Sequence, residues 1–219
     1  MTIIKKLKLC AGFTLLALAT IIGPAQASLN IANPNVDLTN AAFAQVTKLT
    51  SIPIGHAEFC QTRPTECSAN PSIVSTVTLT EERWRQLVNV NAQFNASIVS
   101  VSDMDLYQVE EFWTYPNGYG DCEEYVLAKR RELISMGWNP STLLITVLRQ
   151  TSGEGHAVLM VRTDRGDLVL DNLAGLIKTW DQTPYQYLKR QSQTNAGRWV
   201  DISDNRPMST LNVLLAQRR

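Results

Sequence analysis

Two segments of helical periodicity precede a series of short strand-like runs, and no long helical crossover separates one run from the next. This order constrains the fold more than any other feature. The first segment starts at Thr80-Glu81-Glu82, a capping hydroxyl followed by first-turn acids, and continues with Trp84, Leu87, Val88, Phe94 and Ile98 at helical spacing. The second, Asp121 to Met136, offers Asp121 as N-cap, Glu124 three residues on, and Gly137 where a helix ends. Strand character then appears over Thr142–Leu148, Gly155–Thr163, Asp167–Asn172 and Arg198–Ile202. Parallel strands need long crossovers, so the pattern predicts an α+β domain with an antiparallel sheet. Asn91 and Asn95 lie on or beside the apolar stripe of the first helix, where their amides are expected to bond to backbone.

Compartment can be read from the first residues. Lys5, Lys6 and Lys8 precede an apolar stretch from Leu9 to Ile22, then Gly23-Pro24 and the small residues Ala25 and Ala27. This is the pattern of a secretory signal peptide over residues 1–27. At 14 residues the apolar stretch falls short of the roughly 20 needed to span a bilayer. No later run is long enough to span, so the mature chain is expected to lack a transmembrane segment and to act in the periplasm or outside the cell. Without the three lysines, 17 basic residues face 20 acidic ones, which argues against nucleic acid as a partner.

Residues 28–78 read as an extended, irregular lead-in and residues 79–219 as the main domain. Cys10 leaves with the signal, and Cys60, Cys67 and Cys122 stay. In an oxidising compartment the close pair Cys60 and Cys67 is expected to form a disulfide, which leaves Cys122 with a free thiol.

Cys122 falls in the first turn of a helix, where unsatisfied N–H groups and the helix dipole favour thiolate. The alternative is a small buried hydrophobe on a core helix. A catalytic thiol usually needs a base, and the chain has two histidines, His56 and His156. His56 sits in the irregular segment, whereas His156 opens a strand after Gly153-Glu154-Gly155. Asp171 ends the apolar run Val169-Leu170, where an unpaired charge is costly. A hairpin between these strands places His156 and Asp171 on one face if Arg162 pairs with Asp167. A shorter loop with Gly166 as a bulge places them on opposite faces. Both registers fit the sequence. Asp121, Glu123 and Glu124 lack the spacing of a calcium loop, and on residue chemistry alone they cap the helix.

The string Gly120-Asp121-Cys122-Glu123-Glu124-Tyr125, followed by Ala128-Lys129 and Gly137, resembles the bacterial transglutaminase-like cysteine proteinases. So do Asn91, Phe94-Asn95, Trp113 with Pro116, Gly155-His156-Ala157-Val158-Leu159 and Val169-Leu170-Asp171-Asn172-Leu173, in the family's order. The resemblance implies a papain-like or transglutaminase-like α+β core, with the nucleophile helix packed on the sheet and a Cys122, His156, Asp171 triad. In the LapG-type branch it further implies a periplasmic protease that cuts a large surface adhesin, releases cells from a biofilm, requires calcium and is sequestered by a membrane receptor. Asp121 and Glu123 are the implied calcium ligands. That branch usually reads Glu-Asp after the cysteine, where this chain has Glu123-Glu124.

The expected chemistry is acyl transfer, with the Cys122 N–H as one oxyanion donor and the Trp113 region as the candidate source of another. Two alternatives share the residues: a transglutaminase or cell-wall amidase with the same triad, and a non-catalytic module that binds calcium or a partner.

Overall fold

The structure, a computed structural model, describes residues 37–206, so the expected signal peptide (1–27) and the start of the lead-in lie outside the described residues. In chain order the main elements are β1 (Val46–Thr50), α1 (Ile54–Thr62), α2 (Glu81–Ser97), β2 (Val99–Ser100), α3 (Asp103–Tyr107), β3 (Tyr119–Gly120) and α4 (Cys122–Ser135). The strands β4 (Leu143–Arg149), β5 (Gly155–Thr163), β6 (Gly166–Leu170), β7 (Lys178–Thr179), β8 (Gln186–Ser192) and β9 (Asn195–Ile202) follow. Among the described residues these build a seven-stranded sheet in the order β1-β9-β8-β4-β5-β6-β7, antiparallel throughout. A short parallel pair, β2 with β3, stands apart. The fold is therefore α+β.

Both long helices begin as their sequences require. The Thr80 hydroxyl accepts from Arg83 N–H and starts α2. At α4 the Glu124 carboxylate reaches back to the Asp121 N–H at 2.9 Å. Gly120 makes this possible, because a Cβ there would lie 2.5 Å from the Glu124 Cβ.

Alternation along β5 divides the core into two layers. Ala157, Leu159 and Val161 face α2 and α4 in a cluster with Leu87, Val126, Leu133 and Trp199. Val158 and Met160 face the other way, with Val169, Trp180, Tyr185 and Tyr187. Both sides of the central strands are thus covered, which explains their nearly continuous apolar runs.

Three parts of this architecture differ from the sequence reading. The stretch read as an irregular lead-in contains β1, which pairs with β9, and α1. The stretch from Asp103 to Gly120, where the sequence shows no helical or strand pattern, contains α3 and β3. Strand β8 lies between β4 and β9, and its polar residues Arg190 and Gln191 are buried, which hides the strand from a hydrophobicity pattern. Cys60 and Cys67 are joined by a disulfide that ties α1 to the 3-10 turn after it. No helix among the described residues is long and apolar enough to cross a membrane.

Candidate active site

Helix α4 delivers Cys122 at its first residue, into a cleft of about 610 Å³ that His156, Ala157, Glu123, Trp113 and Leu173 also line. The sulfur has two polar contacts. The Ala157 backbone N–H donates to Sγ at 3.3 Å, and the thiol donates to Glu123 Oε2 at 2.9 Å. Among the described residues Cys122 is the free cysteine. Its electrostatics depart from the expectation drawn from the helix dipole. Burial first, then the carboxylates of Glu123 and Asp121, push the thiol well above its ordinary range, and the Ala157 N–H works against them.

His156 is the second residue of β5, the strand whose Ala157 N–H grips the sulfur. Arg162 pairs with Asp167 and Thr163 with Gly166, so the hairpin takes the first of the two registers and puts His156 and Asp171 on one face, diagonally offset. Their parity is that of Val158, Met160 and Val169, and His156, near the end of its strand, lines the same cleft as Cys122. His156 Nε2 and Asp171 Oδ1 are 2.8 Å apart and both side chains are buried. Asp171 also accepts from the Leu173 N–H at 2.9 Å and the Tyr185 hydroxyl at 2.6 Å. Burial alone would raise this carboxyl. The hydrogen bonds from His156, Tyr185 and Leu173 outweigh burial and hold it below the ordinary carboxylate range. An ionised Asp171 fixes the hydrogen of His156 on Nε2 and leaves Nδ1 as a base.

Next to the thiol lies a crowd of acids. Ligand-capable atoms of Asp121, Cys122 and Glu123 fall within 4.8 Å of one another, as do those of Asp103, Asp121 and Glu124. No lysine or arginine among the described residues forms an ion pair with these four acids. Burial and then Asp121 push Glu123 up to about 9. Burial, with the charges of Asp121 and Asp103, pushes Glu124 up to about 8 against hydrogen bonds from the Asp121 and Thr114 N–H groups. Asp103 rises to about 6 through burial and the charges of Asp121 and Glu111, although the Phe112 N–H opposes this. One oxygen each of Asp103 and Asp121 is buried without a hydrogen-bond partner. Such a set of hard oxygen donors, short of positive charge, suits a divalent cation of the calcium type.

The sequence profile of the bacterial transglutaminase-like cysteine proteinases (BTLCP) matches residues 46–207. The chain belongs to this family. It is a cysteine peptidase, and its substrate is accordingly a protein. Solved structures of Legionella pneumophila LapG are also similar to this cysteine peptidase. The calcium-bound form is 23% identical, with a TM-score of 0.47 over 62% of this chain and 80% of that one. An EGTA-treated form is 24% identical, with a TM-score of 0.46 over 62% and 79%. None of the curated proteins compared matches the chain.

Some residues of the peptidase site were not visible in its sequence. Asp103 joins the acids only because β2 pairs with β3 and brings the start of α3 to the N-terminus of α4, where the Asp103 N–H meets Asp121 Oδ2 at 3.3 Å. Tyr185 reaches Asp171 from beyond β7. Lys129, fully buried two turns along α4, donates to Asn91 Oδ1 at 2.8 Å, and the Asn91 amide donates to the Ala174 carbonyl at 3.2 Å. The Asn95 amide donates to the Asp171 carbonyl at 2.8 Å. Both asparagines therefore hold the loop that carries Asp171. His56 has a different surrounding: it is buried between Trp113 and Trp199 beside the disulfide, and burial holds it down at about 4.

Proposed function

We propose that this cysteine peptidase acts in the periplasm or outside the cell on a large surface adhesin, with Cys122 as nucleophile, His156 as base and Asp171 as the acid that orients the imidazole. The observation that carries the catalytic assignment is the 2.8 Å His156–Asp171 contact on the wall of the cleft that holds the Cys122 sulfur. Compartment is supported by the charged, apolar and small-residue sequence of the first 27 residues and by the Cys60–Cys67 disulfide. The adhesin, and a membrane receptor as sequestering partner, rest on the family resemblance.

The chemistry runs as acyl transfer. The Cys122 proton passes to His156 Nδ1 as sulfur attacks the scissile carbonyl carbon, and the developing oxyanion meets the Cys122 N–H, which has no helical acceptor at the first residue of α4. Collapse expels the amine, which takes the proton from His156, and leaves a thioester on Cys122. Water then attacks with His156 as base, and the acid product leaves with the thiol restored. Asp171 stays ionised throughout and steadies the imidazolium.

Asp121 and Glu123 are the proposed calcium ligands, with the unpartnered oxygen of Asp103 beside them. Bound there, calcium supplies the positive charge that the acidic cluster lacks and so eases ionisation of the neighbouring thiol. Replacing the aspartate after Glu123 by Glu124 fits this reading, because both Glu124 oxygens accept backbone N–H bonds, from Thr114 and Asp121, and so fix the turn around the site.

Incubation of the mature chain, residues 28–219, with purified adhesin tests the assignment. Fragments are expected with calcium and are expected to vanish with EGTA or in Cys122→Ala. Fragments from Cys122→Ala overturn the nucleophile assignment. An intact adhesin, with a generic protein still cleaved, removes the substrate and keeps the chemistry.

A further inference from the structure

Away from the catalytic cleft, a cavity of about 350 Å³ opens between the disulfide-bonded turn and the C-terminal half of α4. Three arginines line it: Arg63 from the end of α1, and Arg130 and Arg131 from α4. Arg130 is 8% exposed, and its Nε donates to the Leu143 carbonyl at 3.0 Å. Among the described residues its two Nη groups have neither a hydrogen-bond nor an ion-pair partner. A guanidinium this deeply buried, with a single backbone acceptor and its Nη groups left to the cavity, calls for anionic company, and the Glu66 carboxylate acts on it electrostatically. Arg131 lies over the Tyr115 ring at 3.7 Å and Arg63 approaches the same ring at 5.0 Å, so both cations are brought to the tyrosine that lines the cavity.

One carboxylate, Glu66, lines the cavity with them, and it is already committed. Its Oε2 accepts the Tyr115 hydroxyl, and its Oε1 stands 3.8 Å from Arg63 Nη1. Three guanidiniums therefore face one carboxylate, and two positive charges are left without compensation. Arg190, the other deeply buried arginine with unbonded nitrogens, differs because Asp167 lies near it and it lines none of these cavities.

We propose that this cavity binds a small dianion bearing carboxylate or phosphate groups, held by Arg63, Arg130 and Arg131. Guanidinium groups match the planar or tetrahedral oxygens of such groups through paired N–H donors, and the volume admits a small organic acid or a phosphate monoester. Its position, eight residues along α4 from Cys122, is about 12 Å further along the helix axis, so the site is separate from the peptidase cleft.

Titration calorimetry on the mature chain, freed of metal and chelator and at low salt, tests this with inorganic phosphate and with succinate as probes. Saturable one-to-one binding is expected for at least one probe, and which one binds assigns the head group. Arg63→Gln combined with Arg131→Gln, both at exposed positions, is expected to weaken that binding at least tenfold while the circular dichroism and the thermal midpoint show an intact fold. Cys122→Ala is expected to bind as the parent does. Absence of binding by both probes, or equal binding by the folded double variant, overturns the proposal.

Discussion

The Ala157 N–H donates to the Cys122 sulfur at 3.3 Å, so the strand that carries His156 also fastens the thiol one residue later. Sulfur and imidazole are thereby set by a single stretch of backbone. The thiol is nonetheless pushed upward by burial and by Glu123 and Asp121, so its ionisation depends on His156. Alkylation of Cys122 by iodoacetamide near pH 7 is expected to slow at least tenfold in His156→Ala. Equal rates in the two proteins would remove His156 as the base.

Three donors converge on Asp171. Asp171→Asn reverses the favoured histidine tautomer, and kcat is expected to fall by about 10³–10⁴, as in comparable triads. Tyr185→Phe removes one donor and keeps the His156 contact, so its loss should be about tenfold or less, with KM little changed. A Tyr185→Phe loss as large as that of Asp171→Asn would assign the tyrosine a direct part in the reaction.

In the metal-free protein Glu123 titrates in the folded state at about 9 against an ordinary 4.5. Between those values the folded chain holds the proton more tightly than the unfolded one, so stability falls as pH rises across the window. Relative to Glu123→Gln, the wild-type melting temperature should therefore drop from pH 5 to pH 9 in EGTA. Calcium should reduce that drop, because ligation displaces the proton. Scanning fluorimetry across this range measures both, and a difference independent of pH and of calcium would argue against Glu123 as a ligand.

Lys129 has the opposite sign. Burial lowers it from 10.5 to about 7, with Asp171 opposing. From pH 7 to pH 10 the unfolded chain holds more protons at this lysine, so stability rises with pH. The wild type should gain on Lys129→Met over that interval, as read from urea midpoints. A flat difference would place the ammonium in water.

The disulfide closes a short loop, its cysteines seven residues apart. Chain entropy assigns such a closure about 2.5 kcal/mol. Cys60→Ser with Cys67→Ser should lose roughly that much in urea unfolding, while kcat stays within a few-fold because neither cysteine lines the cleft.

What could be read from the sequence follows from how local each signal is. Helices α2 and α4 carry their caps and apolar spacing within a single segment, and β4, β5 and β6 are apolar runs bounded by turns. Helix α1 has no such stripe; Gly55 within it lies so close to Trp113 that a Cβ would sit 2.3 Å from the indole, a fit decided by a residue far along the chain. In β8 the buried residues include Arg190 and Gln191, whose burial depends on strands β4 and β9. At the candidate site, Cys122, His156 and Asp171 could be singled out because each lies at or next to the end of an element. Asp103 and Tyr185 were not, and for Asn91 and Asn95 the bond to backbone was legible but the partner was not, since these meanings come from pairings across tens of residues.

The proposed nucleophile enters from the helical layer, whereas the imidazole and its carboxylate come from the sheet, beside Tyr185. Neither layer alone retains a competent half. Proteolytic turnover should consequently serve as a strict gauge of global integrity: on warming, catalysis and tertiary structure ought to disappear along one curve, with no partly melted species able to cut.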